Sequence, residues 1–283
     1  MRILVTGADG QLGHDVLKRL AAEGEKEIEG AGIGDFNLAD FEATERRVKE
    51  RRPDVVIHCG AYTAVDRAED ERDLCMAVNA GGTEAIARAC RSTGAKMIYI
   101  STDYVFGGEG ETPFETDDET RPLNTYALSK YMGEEAVRRL VEKSFIVRTS
   151  WVFGTNGGNF VKTMLRASES RDSVRVVDDQ TGSPTYTVDL AALLCEMART
   201  EKYGTYHASN EGFCTWADFT EEIYRLAGRT TRVERITSDQ YPSKAKRPRN
   251  SRLSKSSLDR EGFHRLPRWE DATARFLKEL QSI

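Results

Sequence analysis

Histidine is scarce in this chain, with four in 283 residues. They stand far apart and never in paired ligand spacing, so no structural or catalytic metal is expected. The five cysteines, Cys59, Cys75, Cys90, Cys195 and Cys214, are odd in number, scattered and without a Cys-x-x-Cys pair. Free thiols in a reducing, cytoplasmic setting are the expectation, rather than a disulfide framework. No apolar run approaches the roughly 18 residues of a membrane-spanning helix. The opening Met1-Arg2-Ile3-Leu4-Val5-Thr6-Gly7 has no signal-peptide pattern and reads as the start of a mature, soluble protein. An excess of positive charge is also lacking. The formal net charge is -5 and both signs are mixed along the chain, which argues against a nucleic-acid partner and for a small molecule.

What is present is alternation. In the first half, short apolar runs at residues 2–6, 27–31, 55–58, 97–101 and 145–148 alternate with amphipathic segments beginning near Gln11, Asp40, Leu74 and Thr125. That is the pattern of an α/β fold, a doubly wound parallel sheet. Residues 1–150 are expected to form a dinucleotide-binding domain. Beyond Trp151 polar turns multiply, so residues 151–283 are expected to form a smaller, interleaved substrate lobe. Helical pieces at residues 187–199 and 215–227 are expected to return to the first domain, and a last amphipathic helix covers residues 269–280.

The chemistry is carried by a few segments. Gly7, Gly10 and Gly13 follow the first strand and open a helix, the arrangement that lets a backbone approach a pyrophosphate at a helix N-terminus. Gln11 and Leu12 lie within it. After the third strand, Gly60, Ala61 and Tyr62 supply a mostly small surface against which a flat cofactor can lie. An acid at the end of the second strand would favour NADH and a base NADPH. Gly32-Ile33-Gly34-Asp35 gives neither signal, since Asp35 reads equally as a ribose contact or a turn residue, and the choice between NADH and NADPH stays open. Tyr126 and Lys130 are four apart, on one face of a helix, where an ammonium would lower the pKa of a phenol and make it a usable proton donor. Thr102, at the end of the fourth strand, adds a hydroxyl.

These residues, with Ala61-Tyr62-Thr63-Ala64-Val65-Asp66, Ser101-Thr102-Asp103-Tyr104-Val105-Phe106, Arg148-Thr149-Ser150-Trp151, Asp179-Gln180-Thr181-Gly182-Ser183-Pro184 and Arg247-Pro248, resemble the extended short-chain dehydrogenase/reductase superfamily. Within it they resemble the dTDP-4-dehydrorhamnose reductases, over nearly the whole chain. The resemblance implies reduction by NADPH or NADH of the C4 ketone of a dTDP-sugar, in the making of a cell-surface polysaccharide precursor. Tyr126 would be proton donor, Lys130 would hold the cofactor ribose, and Thr102 would bind the reacting oxygen. Thr102, Asp103 and Trp151 would face the sugar. Arg247, in the basic run from Lys244 to Arg252, would meet the diphosphate or lie in a solvated loop. Asn37 and Leu38 would lie by the adenine, Asn37 standing where the family often has an aspartate. No metal is expected, and the state is monomer or homodimer.

Two alternatives remain. Nucleotide-sugar dehydratases and epimerases share the Tyr/Lys pair, but a dehydratase would need a second carboxylate where this chain has Tyr104. A non-catalytic regulatory subunit like the methionine adenosyltransferase beta subunit would not need Thr102, Tyr126 and Lys130 together.

Overall fold

The computed structural model describes residues 1–282. Six parallel strands form the central sheet: β1 (Ile3–Thr6), β2 (Ile28–Ala31), β3 (Val55–His58), β4 (Lys96–Thr102), β5 (Ser144–Thr149) and a sixth at Gly204–His207. In space the sixth strand comes first, followed by β5, β4, β3, β1 and β2. Because side chains alternate along a strand, Ile3, Val5, Val55, Ile57 and Phe145 enter one core. Leu4, Val56, Met97 and Ile146 enter the other. Both faces are thus covered, as parallel sheets require.

Helix α1 (Gln11–Ala22) lies on the first face, packed through Leu12, Val16 and Leu20 with the helix Thr187–Ala198, which contributes Leu190 and Leu194. On the second face lie α2 (Phe41–Arg51), α4 (Thr83–Thr93) and α5 (Thr125–Leu140), contributing Val48, Ile86 and Val137. The segment expected to begin a helix near Leu74 begins at Arg72 as the short α3 (Arg72–Met76) and passes into α4 through a π-helical stretch, Ala77–Gly82. Such wide turns gather at functional sites, and this one places Val78 in the cleft described below.

The second lobe has its own core, built on Phe153, Val161, Val176, Tyr186, Phe219, Trp269 and Phe276. The helix Trp216–Leu226 belongs here and does not return to the central sheet as expected. Its amphipathic face matches the parallel strand pair Ser173–Val177 and Arg232–Ile236. What does return is Thr187–Ala198 together with the strand Gly204–His207, which pairs with β5. No helix among the described residues is long and apolar enough to cross a membrane.

Candidate active site

Strand order reverses at β1, which pairs with β2 on one side and β3 on the other. In such sheets a crevice opens beyond the carboxyl ends of the strands at that point. Here a cleft of about 750 Å³ lies there, walled by the strand ends and by residues of the second lobe. Its floor needs glycine. Gly7 has φ +70°, and a Cβ on it would stand 2.5 Å from the Gly60 nitrogen. A Cβ on Gly13 would stand 2.2 Å from the Gly7 oxygen. Helix α1 begins without a side-chain cap at Gly10, so its first amides, lacking partners within the helix, remain available to an anion at the cleft wall. A pyrophosphate fits this cradle, and the residues holding it would be Gly7, Gly10, Gln11, Leu12 and Gly13.

Gly60, Ala61, Asn37 and Leu38 line the same cleft, and so do Thr102, Asp103, Tyr126, Lys130 and Trp151. Two expected contacts are elsewhere. Tyr62 turns its hydroxyl outward to Glu71 at 2.7 Å while its amide donates to Asn79 Oδ1 at 2.8 Å. Arg247 is held by Asp66, with Nη2 donating to Oδ2 at 2.7 Å, and by Ser243. It sits behind Tyr104, whose ring meets that of Tyr126 edge-on at 6.0 Å. Asn37 lines the cleft, yet its Oδ1 accepts from the Ala39 amide at 3.2 Å.

The helix that presents the Tyr/Lys pair is fixed at its start by Asn124, whose Oδ1 accepts from the Ala127 amide at 2.8 Å. Asn124 Nδ2 in turn donates to the Lys246 oxygen at 2.9 Å, tying the basic run to the helix. Thr102 Oγ1 donates to Asp103 Oδ1 at 2.9 Å and lies within hydrogen-bond reach of the Tyr126 phenol. Lys130 is buried, with Nζ 4.2 Å from the centre of the Tyr99 ring. One turn further along α5, Glu134 is also buried and receives Arg148 Nε at 2.9 Å and Nη2 at 2.8 Å, as well as Ser101 Oγ. Strand end and helix are therefore locked together directly beneath Thr102 and Lys130.

Burial governs the titration of the centre. It pushes the Tyr126 phenol well above its ordinary range, with the Asp103 charge pushing the same way and the Thr102 hydroxyl opposing. It pulls Lys130 down to about 7 against the attraction of Glu134. The expected dominance of the ammonium over the phenol is thus not what this geometry gives. Burial also lifts Asp103 to about 6, with the neighbouring Ser251 and Thr102 hydroxyls opposing. Its Oδ2 makes no hydrogen bond of ordinary geometry, although Ser251 stands beside the carboxyl. A buried carboxyl oxygen left unpaired at a cleft wall is poised to meet a ligand hydroxyl.

Several contributors carried no sequence signal. Trp216 arrives from the second lobe and stacks on Trp151 at 3.6 Å between ring centres. Trp151 itself has φ +49°, a left-handed conformation that a bulky side chain adopts only where surrounding contacts impose it. Glu134 could have been found by stepping four residues on from Lys130. A second concavity, between Arg19, Asp189 and Arg265, has its charges committed to one another: Arg19 to Glu23, Arg265 to Asp259, and Asp189 to Arg275.

The family profile described as RmlD substrate binding domain matches residues 1–282. The chain belongs to that family. It is 42% identical to a dTDP-4-dehydrorhamnose reductase of Streptomyces griseus, over 96% of this chain and 91% of the relative. It is 38% identical to the spore coat polysaccharide biosynthesis protein SpsK of Bacillus subtilis, over 99% and 98%. The crystal structure of a Bacillus anthracis dTDP-4-dehydrorhamnose reductase in complex with NADP superposes with a TM-score of 0.95, at 41% identity over 98% of this chain and 99% of that one.

Proposed function

We propose that the protein is an NAD(P)H-dependent dTDP-4-dehydrorhamnose reductase, reducing the C4 ketone of dTDP-4-dehydro-L-rhamnose to give dTDP-L-rhamnose. The observation that carries this is the gathering of Thr102, Tyr126 and Lys130 at the sheet's carboxyl edge, in one cleft with the Gly7-to-Gly13 cradle. Full-length similarity to reductases of that name supports it. The nicotinamide cofactor supplies the hydride. Tyr126, neutral because burial raises it, holds the proton that the carbonyl oxygen takes up as it becomes an alkoxide. Thr102 donates a hydrogen bond where that negative charge develops. Lys130 in its charged form binds the cofactor ribose and attracts negative charge toward the phenol, and Glu134 favours that charged form.

Asp103 and the Trp151–Trp216 pair give the sugar a polar and an aromatic wall. Arg247 lies outside the cleft lining, paired with Asp66 and next to Tyr104, and is the candidate for the diphosphate if it exchanges that carboxylate for the ligand. Residues 1–150 as the cofactor domain, residues 151–283 as the sugar-nucleotide lobe, a cytoplasmic setting and a monomer or homodimer belong to the same proposal. Incubation of the protein with dTDP-4-dehydrorhamnose and either reduced cofactor, followed by mass spectrometry, tests it. A product heavier by two hydrogens and identical to dTDP-L-rhamnose is expected. Unchanged ketosugar with both cofactors would overturn the assignment in favour of another sugar nucleotide or a non-catalytic subunit.

A further inference from the structure

The structure carries an argument about which dinucleotide this cleft prefers, and the argument rests on the reductase reading above. In doubly wound sheets the adenosine ribose lies beyond the end of the second strand, where an acidic side chain accepts from the 2′-hydroxyl and a basic one instead receives a 2′-phosphate. Here β2 ends at Ala31 and the chain continues through Gly32, Ile33 and Gly34. No charged side chain of either sign follows the strand until Asp35.

The missing side chain is supplied from another loop. A Cβ on Gly32 would stand 1.9 Å from Asp9 Oδ2, so the Asp9 carboxylate occupies the space that a side chain at the end of β2 would fill. It is held there. Asp9 Oδ2 accepts from the Ile33 amide at 3.2 Å, and the Asp9 carbonyl accepts from Asn156 Nδ2, in the second lobe, at 2.8 Å. A carboxylate has about four lone-pair directions, so one bond to Ile33 leaves ample capacity for a ribose hydroxyl. A second carboxylate closes the same turn, with Asp35 Oδ2 accepting from the Gly32 amide at 3.1 Å.

No cationic side chain of the cleft lining stands beside these two carboxylates. Among the described residues Lys130 is the single cation lining the cleft, and it lies at the other end, beneath Tyr126. Arg51, stacked 5.0 Å from the Phe36 ring centre, is paired with Glu29. A ribose hydroxyl is a donor these oxygens can accept from, whereas a 2′-phosphate would bring about two further negative charges against them.

We propose that Asp9 reads the adenosine 2′-hydroxyl and, with Asp35, disfavours a 2′-phosphate, so that this cleft prefers NADH over NADPH. Equilibrium binding of each reduced dinucleotide to the full chain, followed by nicotinamide fluorescence with no sugar present, tests this. NADH is expected to bind about ten-fold tighter or more at low salt. The gap should narrow as ionic strength rises, because the discrimination against NADPH is a screened repulsion. Asp9→Asn keeps an acceptor for the Ile33 amide and removes the charge. It should bring the two affinities close to parity, chiefly by tightening NADPH, with the melting temperature reporting that the fold is kept. Tighter or equal binding of NADPH by the parent protein would overturn the proposal, and so would an unchanged ratio in Asp9→Asn. The parent ratio and its salt dependence decide the matter even if the variant does not fold. Turnover of the ketosugar with either cofactor would leave the reductase reading standing whatever the ratio, whereas failure to bind both dinucleotides would overturn both.

Discussion

Asp103 shows how one side chain ties stability to the cleft. Burial raises its carboxyl from 3.8 to about 6, so between those values the folded protein keeps a proton that the unfolded chain has released. The stability this proton confers is complete below pH 4 and is lost as the pH climbs to about 6, where the charge must be buried. Asp103→Asn is neutral throughout. Denaturant unfolding should therefore show the variant gaining on the parent from pH 4 to 6 and levelling off above, by on the order of 2–3 kcal/mol. A difference that does not change with pH would contradict this reading of Asp103. At the same scale Lys130, pulled down to about 7 by burial, lies near its switching point at neutral pH, so the field of Glu134 decides how much of it is charged.

Helix α5 is the element on which the chemistry depends. Tyr126, Lys130 and Glu134 lie four residues apart, on one stripe of the helix. Glu134 then reaches β5 through Arg148 and β4 through Ser101. Glu134→Leu would strand the Arg148 guanidinium in a buried site, and a loss of about 3–5 kcal/mol is expected. Pairing it with Arg148→Met should restore much of that loss in equilibrium unfolding. A double variant no better than the single would show that the ion pair is not the source.

The stripe also shows what was legible beforehand. Strands β1, β3, β4 and β5 stood out because both-faced burial makes them largely continuous apolar runs, whereas β2, at the sheet edge, is half exposed and carries Glu29. The Tyr/Lys spacing and the glycine pattern are local, and local spacing is readable. The outward turn of Tyr62 is set within the first half by Glu71 and Asn79, and a run of small residues does not show which way its one large side chain turns. The places of Trp216 and Asn156 depend on which lobe meets which, and no periodicity in the chain encodes that. The same limit explains the helix Trp216–Leu226. Its amphipathic face identified it as packed against something, but the choice between central sheet and second lobe rests on the partner strands 173–177 and 232–236, which are distant in sequence.

At the scale of the molecule the two halves are not separable. The core on the α1 face takes Ile3, Val16 and Ile57 from the first half and Leu190, Leu194, Tyr206 and Leu266 from the second. Across the cleft Gln11 Oε1 accepts from the Gly154 amide and from Asn159 Nδ2, each at 2.9 Å. A fragment of residues 1–150 is expected to lack a cooperative thermal transition, since it loses the helix and strand that cover α1 and β5. A sharp transition in that fragment would show an autonomous domain instead. The interleaving also holds the second lobe's Trp151 and Trp216 against the cleft in which Tyr126 stands. That joint construction, with Tyr126 as the proton donor, is the central claim. The most direct test compares parent and Tyr126→Phe for loss of reduced-nicotinamide absorbance with dTDP-4-dehydrorhamnose, alongside cofactor binding. A kcat lower by about 10²–10⁴ in the variant, with cofactor still bound, is the predicted result. A variant turning over at the parental rate would contradict it.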